Sequence, residues 1–412
     1  MAAYSTVAVT IGLVAARPRI GTAGRLNPAL AAFGGVLALA ALGAVRAGAV
    51  AAAAADLWRP FVAIAAIMIM ADAAIAVGLL DWAAARIERG ARTAPALLAR
   101  VFALGAATAT ALNNDAAILL LTPLVVALAR RRFPGRPELV VPLAFSVFLA
   151  AGVAALPVSN PMNMVVAEFA DIGFNEYAAQ MAPVACAVWL IGFAALRWWF
   201  RSQLVAVPAP GDRTPVRATR AQRRLAALLV GALGAYSVVA AAGGPVWTVA
   251  LAGAAGALAL SRRATGRSTV EAVARAVSWE TLAFLACVVV LALGLQQVGL
   301  VDRLGAHYAQ TGLAGVGVTS AVGSALLNNH PMAYMNMLAL EASAHGHAGV
   351  LAALIGGDLG PRLLPMGSLA GLLWLDALRR QGVHVPLRTF VAVGAVATVP
   401  ALAVGLALLA AM

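Results

Sequence analysis

Runs of fifteen to twenty-two predominantly apolar residues, separated by short clusters of arginine, recur along the whole chain; 61–80, 225–239, 281–300 and 390–411 are examples. A hydrocarbon core of about 30 Å takes roughly twenty apolar residues of helix, so this pattern fits lipid and no other solvent. Hydrophobic residues make up 63% of the chain and charged ones 11%, with a mean hydropathy of +0.91, which excludes a water-soluble domain. All 29 basic residues are arginine. They lie between the apolar runs, so the formal charge of +13 orients the chain in a membrane and does not point to a nucleic-acid partner.

Several chemistries are excluded at once. Cys186 and Cys287, the only two cysteines, both lie in apolar runs and cannot form a disulfide framework or a three-thiolate metal site. A Walker-type phosphate loop needs lysine, and the chain has none. The spacing of His345 and His347 in an outer loop, with only Glu341 nearby, reads as a solvated loop. No nucleophile and base pair stands out, so the chain reads as a transporter without a cofactor, powered by a gradient or a separate subunit. The first apolar stretch, 6–16, has its charge after it at Arg17 and Arg19, the wrong polarity for a cleaved signal, and is read as a helix of the mature protein.

The arginines supply a map. Clusters at 17–25, 86–100, 130–136, 197–224, 262–275 and 379–388 are read as cytoplasmic, with Arg46, Arg59 and Arg303 outside and Arg362 at membrane depth. Residues 101–129 are apolar yet have arginines at both ends. As one helix they would be about 43 Å long with both ends on the same side. A re-entrant hairpin with its tip at Asn113, Asn114 and Asp115 resolves this. A second hairpin, 311–340, has its tip at Asn328, Asn329, His330 and Pro331 and opens outward. Each hairpin precedes an apolar stretch interrupted by helix breakers. The first passes Pro157, Ser159, Asn160, Pro161 and Asn163; the second passes Gly356, Gly357, Asp358, Gly360, Pro361, Pro365, Gly367 and Ser368. The fold expected is an all-α membrane protein of about ten transmembrane helices plus two re-entrant hairpins, arranged as an inverted-topology repeat. Residues 1–200 form the first repeat, 201–223 a cytoplasmic linker, and 224–412 the second repeat. Both termini then face away from the cytoplasm.

Irregular backbone at membrane depth is tolerated only where it is buried in protein or lines a cavity, so two tips and two broken helices point to one central site. Asn113, Asn114, Asn160, Asn163, Asn328 and Asn329 either replace the hydration shell of a small solute or cap the half-helices where they break. Ser159, Thr122 and Ser368 add hydroxyls. Intramembrane ionisable groups are functional by default. Asp115 and Asp358 are candidate proton carriers, with Asp358 and Arg362 read as an ion pair, either opening during the cycle or permanent. Asp72 is a further proton site or a buried hydrogen-bonded carboxylate. His330 either carries a coupling proton or caps the hairpin as a neutral ring.

Four stretches resemble the arsenical pump membrane protein family of the ion-transporter superfamily: LNNDAAILLLTPLV from Leu112, PVSNPMNMVVAEFADIGFNEYA from Pro157, LLNNHPM from Leu326, and GGDLGPRLLPMGSLAGLLWLDAL from Gly356. The resemblance implies multi-pass insertion in the inner membrane and efflux of trivalent arsenic or antimony as a small neutral hydroxide in exchange for protons. In some members a soluble ATPase docks on the cytoplasmic side. It carries site roles onto Asn113, Asn114, Asp115, Ser159, Asn160, Asn163, Asn328, Asn329, Asp358, Gly360, Pro361 and Ser368. Two positions depart from the family pattern: Gly357 stands where relatives commonly have cysteine, and His330 where an apolar residue is usual. A sodium/proton antiporter of the same superfamily and a membrane subunit docking an ATPase are the alternatives. The oligomeric state, a homo-oligomer included, stays open.

Overall fold

The computed structural model describes residues 2–16, 26–204, 217–266, 268–341 and 343–412. Arg17, Arg19, Arg25, Arg267 and the central part of the linker, 205–216, lie outside them. Every regular element among the described residues is helical.

The first half runs through α1 (Ala2–Ala16), α2 (Pro28–Ala41), α3 (Ala47–Ala76), α4 (Leu79–Gly90), α5 (Ala94–Ala111), α6 (Asn114–Arg132), α7 (Val140–Ala151), α8 (Pro161–Phe169) and α9 (Phe174–Trp199). The second contains α10 (Arg220–Ala241), α11 (Trp247–Thr265), α12 (Thr269–Ala276), α13 (Trp279–Gln297), α14 (Leu300–Ala309), α15 (Leu313–Leu327), α16 (Asn329–Leu340), α17 (Gly346–Leu359), α18 (Leu369–Arg380) and α19 (Leu387–Ala410). Six of these helices, α3, α5, α9, α10, α13 and α19, are long and apolar enough to cross a membrane unaided. Others are shorter apolar helices, such as α2 and α15.

Capping residues explain where the chain breaks. Asn113 ends α5 and caps α6, its Oδ1 accepting from Ala116 N at 2.7 Å. Asn328 does the same between α15 and α16, accepting from His330 N at 3.3 Å, and holds a φ of 84° that L-residues rarely adopt. The two broken stretches use Asn160 and Ser368, which cap α8 and α18 after turns of 3-10 helix. Leu79 and Leu300 each follow a glycine at positive φ, Gly78 at 67° and Gly299 at 78°, which turns the chain from a long apolar helix into a short amphipathic one.

The halves interlock. The third helix of the first half, α3, packs on α11, while α13 packs on α2; α9 lies against α19. Within the halves, α5 packs on α7 and α15 on α17. The last contact is so close that a Cβ on Gly356 would sit 2.1 Å from Gly317 O, the small-residue approach that helices in lipid rely on. Phe148 on α7 stacks on Trp374 of α18 at 4.9 Å between centroids, fixing the second broken stretch against the first. Gln222, in the first turn of α10, also bonds Val77 O and Gly78 O, tying the start of the second half to the α3–α4 turn.

Candidate functional site

Asp358, in the last turn of α17, organises the centre of the molecule. Its Oδ2 accepts from Ala154 N at 2.9 Å and Asn163 Nδ2 at 3.0 Å, and its Oδ1 accepts from Asn160 Nδ2 at 2.8 Å. All three donors belong to the first broken stretch, from the end of α7 into α8, so one carboxylate of the second half holds together the unwound backbone of the first. Three donors on one buried carboxylate satisfy it in the way buried charge requires. Behind it, Asn163 also donates to Tyr177 Oη at 2.7 Å, and the Tyr177 hydroxyl donates to Ala154 O at 3.3 Å.

The ion pair between Asp358 and Arg362 is not formed. The Arg362 guanidinium, 1% exposed, points instead at the end of α7, where its Nη2 donates to Leu149 O at 2.9 Å and Gly152 O at 2.8 Å. Asp358 is already held by three amide donors, and the two charges face different parts of the same broken stretch. Gly152 makes room for this: a Cβ there would lie 2.8 Å from Arg362 Nε. Arg362 Nε and Nη1 and Asn329 Oδ1 are buried without a hydrogen-bond partner among the described residues.

A small pocket of about 450 Å3 opens onto these groups. Asn114, Asp115, Asn160, Asn329, His330, Asp358, Pro361, Arg362 and Ser368 line it, with Phe148, Gly152 and Ala370 as walls. Residues from both tips and both broken stretches therefore meet at one place. The other candidates sit around it. Ser159 donates to Thr110 O at 3.4 Å, and Thr122 bonds back to Ile118 O within its own helix. Gly360 is packed on the backbone of α15, where a Cβ would sit 2.2 Å from Ala321 O. Asn328 spends its amide on Met366 O at 3.3 Å, and Asn163 stands behind Asp358.

A second pocket of about 810 Å3 adjoins the first and is lined by Asp72, Asn113, Asp115, Arg275, Ser278 and Thr281 among others. Asp115 lines both. Its carboxylate has no hydrogen-bond partner among the described residues. Elsewhere a wide mouth of about 2250 Å3, open to solvent, carries Asp56, Arg59, Glu168, Asp171, Glu341 and His347. A smaller space below it ends at Pro157, Val158 and Met164, in and beside the first broken stretch.

The sequence alone did not single out Tyr177 or Gly152. Tyr177 lies in a long apolar helix, where a phenol is ordinarily core. Gly152 carries the one available signal, a glycine shortly before Ser159 in a run otherwise rich in alanine and valine.

A family model described as "Citrate transporter" matches residues 7–371. The "Arsenical pump membrane protein" of Escherichia coli (strain K12) is 32% identical over 401 residues, 92% of each chain. An uncharacterized transporter of Mycobacterium tuberculosis (strain ATCC 25618 / H37Rv) is 26% identical over 370 residues, 84% of each. Among solved structures, the Alcanivorax borkumensis YdaH transporter, described as having an unusual topology, superposes with a TM-score of 0.57 at 16% identity, covering 99% of this chain and 97% of its own. That likeness concerns the fold alone.

Proposed function

The chain belongs to the citrate transporter (CitMHS) family, and we propose that it exports trivalent arsenic or antimony, as the neutral hydroxide, across the inner membrane in exchange for protons. The relatives named as arsenical pumps support the substrate. The observation that carries the mechanism is the position of Asp115, which lines both the central pocket and the cavity beside it. In this reading the protein has ten spans, with α5–α6 and α15–α16 as re-entrant hairpins, and the cavity around Asp72 and Arg275 opens to the cytoplasm.

A neutral hydroxide gains nothing from the membrane potential, so accumulation needs a group that binds a proton on one side and releases it on the other. Asp115 fits this role because no donor holds it. Asp358 does not fit, since its oxygens are committed to three amides. The substrate hydroxyls meet Asp115, Ser368 and Asn329 Oδ1 as acceptors, and the unpartnered nitrogens of Arg362 donate to oxygen lone pairs. A second reading, a small carboxylate as substrate, is favoured by those same nitrogens, which match carboxylate oxygens, and by the family description. A soluble ATPase docked on the linker 201–223 is an additional energy source for the first reading.

Everted vesicles given arsenite, antimonite, sodium or citrate under an imposed pH gradient separate these readings. Arsenite or antimonite accumulation without added ATP supports proton exchange; accumulation of citrate alone supports the second. Asp115→Asn should let arsenite equilibrate without concentrating it. If that variant still concentrates arsenite in a gradient-dependent way, Asp115 is not the carrier, and His330 or Asp72 takes its place.

A further inference from the structure

We propose that the groove between α14, α15 and α16 seats one anionic phospholipid, its phosphate on Arg303 and His307 and an acyl chain lying along α15 toward the second tip. The groove is open to its surroundings and shares no lining residue with the central pocket. Arg303, His307 and Thr319 are the polar residues that line it. Arg303 and His307 are one turn apart on α14 and line the same groove, so a guanidinium and a hydrogen-bonding imidazole share one edge. Arg303 has no ion-pair partner among the described residues. The His307 ring is oriented by a contact of 3.1 Å between Nε2 and Thr319 Oγ1, which leaves its other nitrogen free to face a ligand.

After Thr319 the residues that α15 and α16 give to the walls are all apolar. Val318 and Val322, 48% and 50% exposed, form the α15 side, and Met332 and Met335 the α16 side. From Val318 to Leu327 the helix rises about 13.5 Å at ~1.5 Å per residue, close to one leaflet of a ~30 Å hydrocarbon core. A cationic end and a one-leaflet apolar channel are the two halves of a phospholipid's chemistry. An ordinary juxtamembrane arginine lacks the apolar concavity beside it. Leu327 immediately precedes the strained tip residue Asn328, so an acyl chain here would brace the outer side of the tip that supplies Asn329 and His330 to the pocket.

The test is native mass spectrometry of the full chain released from nanodiscs of equimolar phosphatidylglycerol and phosphatidylethanolamine. One phosphatidylglycerol should be retained per chain. Arg303→Gln should lower that adduct about fivefold, the effect of one surface arginine on an anionic headgroup. Val322→Trp, which fills the groove and keeps the charge, should remove it as well, while Arg46→Gln, at another loop arginine, should leave it unchanged. Equal retention of phosphatidylethanolamine by the unaltered protein, or an undiminished adduct in both groove variants, overturns the proposal. So does efficient disulfide cross-linking of Val322→Cys between copies in the membrane, because a second chain then covers the groove. Should Val322→Trp not fold, the Arg303→Gln adduct decides alone.

Discussion

Replacing Asp358 by asparagine tests whether this carboxylate is a structural clamp. Asparagine keeps one oxygen, which can go on accepting from Ala154 N and Asn163 Nδ2, now as a neutral acceptor. Its amide then faces Asn160 Nδ2, a donor against a donor at a position that measures 2.8 Å with the carboxylate. Asn160 cannot rotate to help without giving up the α8 cap, where its Oδ1 accepts from Met162 N at 3.1 Å. Hydrogen bonds to a charged group are worth about 1.5–3 kcal/mol and neutral ones about 0.5–1.5 kcal/mol. One bond is lost outright and two weaken, offset by the smaller cost of burying a neutral group, so the net loss is about 3 kcal/mol. The double variant Asp358→Asn with Asn160→Asp should recover most of it. The carboxylate introduced at position 160 would keep the cap on Met162 N and accept from the new amide at position 358, restoring a donor–acceptor pair with the charge moved across. Unfolding in sodium dodecyl sulfate, followed by fluorescence of the eight tryptophans, measures both variants and should give a coupling energy of about 2 kcal/mol in the double-mutant cycle. If the single variant is as stable as the unaltered protein, or the two changes simply add, Asp358 is not a clamp and competes with Asp115 for the coupling role.

Asn113→Ala and Asn328→Ala should each abolish export in everted vesicles while the protein stays in the membrane, since each removes a cap worth about 1 kcal/mol at a tip beside the pocket; full transport by either variant would break the symmetry of the site. Gly152→Ala should push the Arg362 guanidinium off Leu149 O and Gly152 O and raise the KM for arsenite more than it lowers insertion, whereas an unchanged KM would remove Arg362 from substrate binding. A tag at Met412 should resist protease added to everted vesicles if the proposed ten crossings place the end of α19 on the outer side; digestion there refutes the arginine map.

The solvent, the class of fold and the kind of residue at the centre are all written along the chain. Long apolar runs cannot avoid lipid, and arginine clusters bias which loops stay behind, so these properties are local and additive. The capping asparagines were legible for the same reason: a break inside an apolar run must satisfy its own amides, and Asn113, Asn160, Asn328 and Ser368 do so within three residues of themselves. Even the paired turns at Gly78 and Gly299 have a local signature, Val-Gly-Leu followed by an apolar residue and aspartate in both halves, although the arginine map passes over them.

Which partners those polar groups take is settled only when the helices pack. Asp358 and Arg362 are one helical turn apart and read as a pair, yet each is claimed by a different end of a segment two hundred residues away, because Ala154, Asn160 and Asn163 reach the carboxylate first and two carbonyls of the α7 end take the guanidinium. Hydrogen bonding at membrane depth is a competition among all groups brought within about 3 Å, and distance along the chain does not rank them. The freedom of the Arg362 nitrogens follows from the outcome of that competition, which exists only once α7, α8 and α17 have come together.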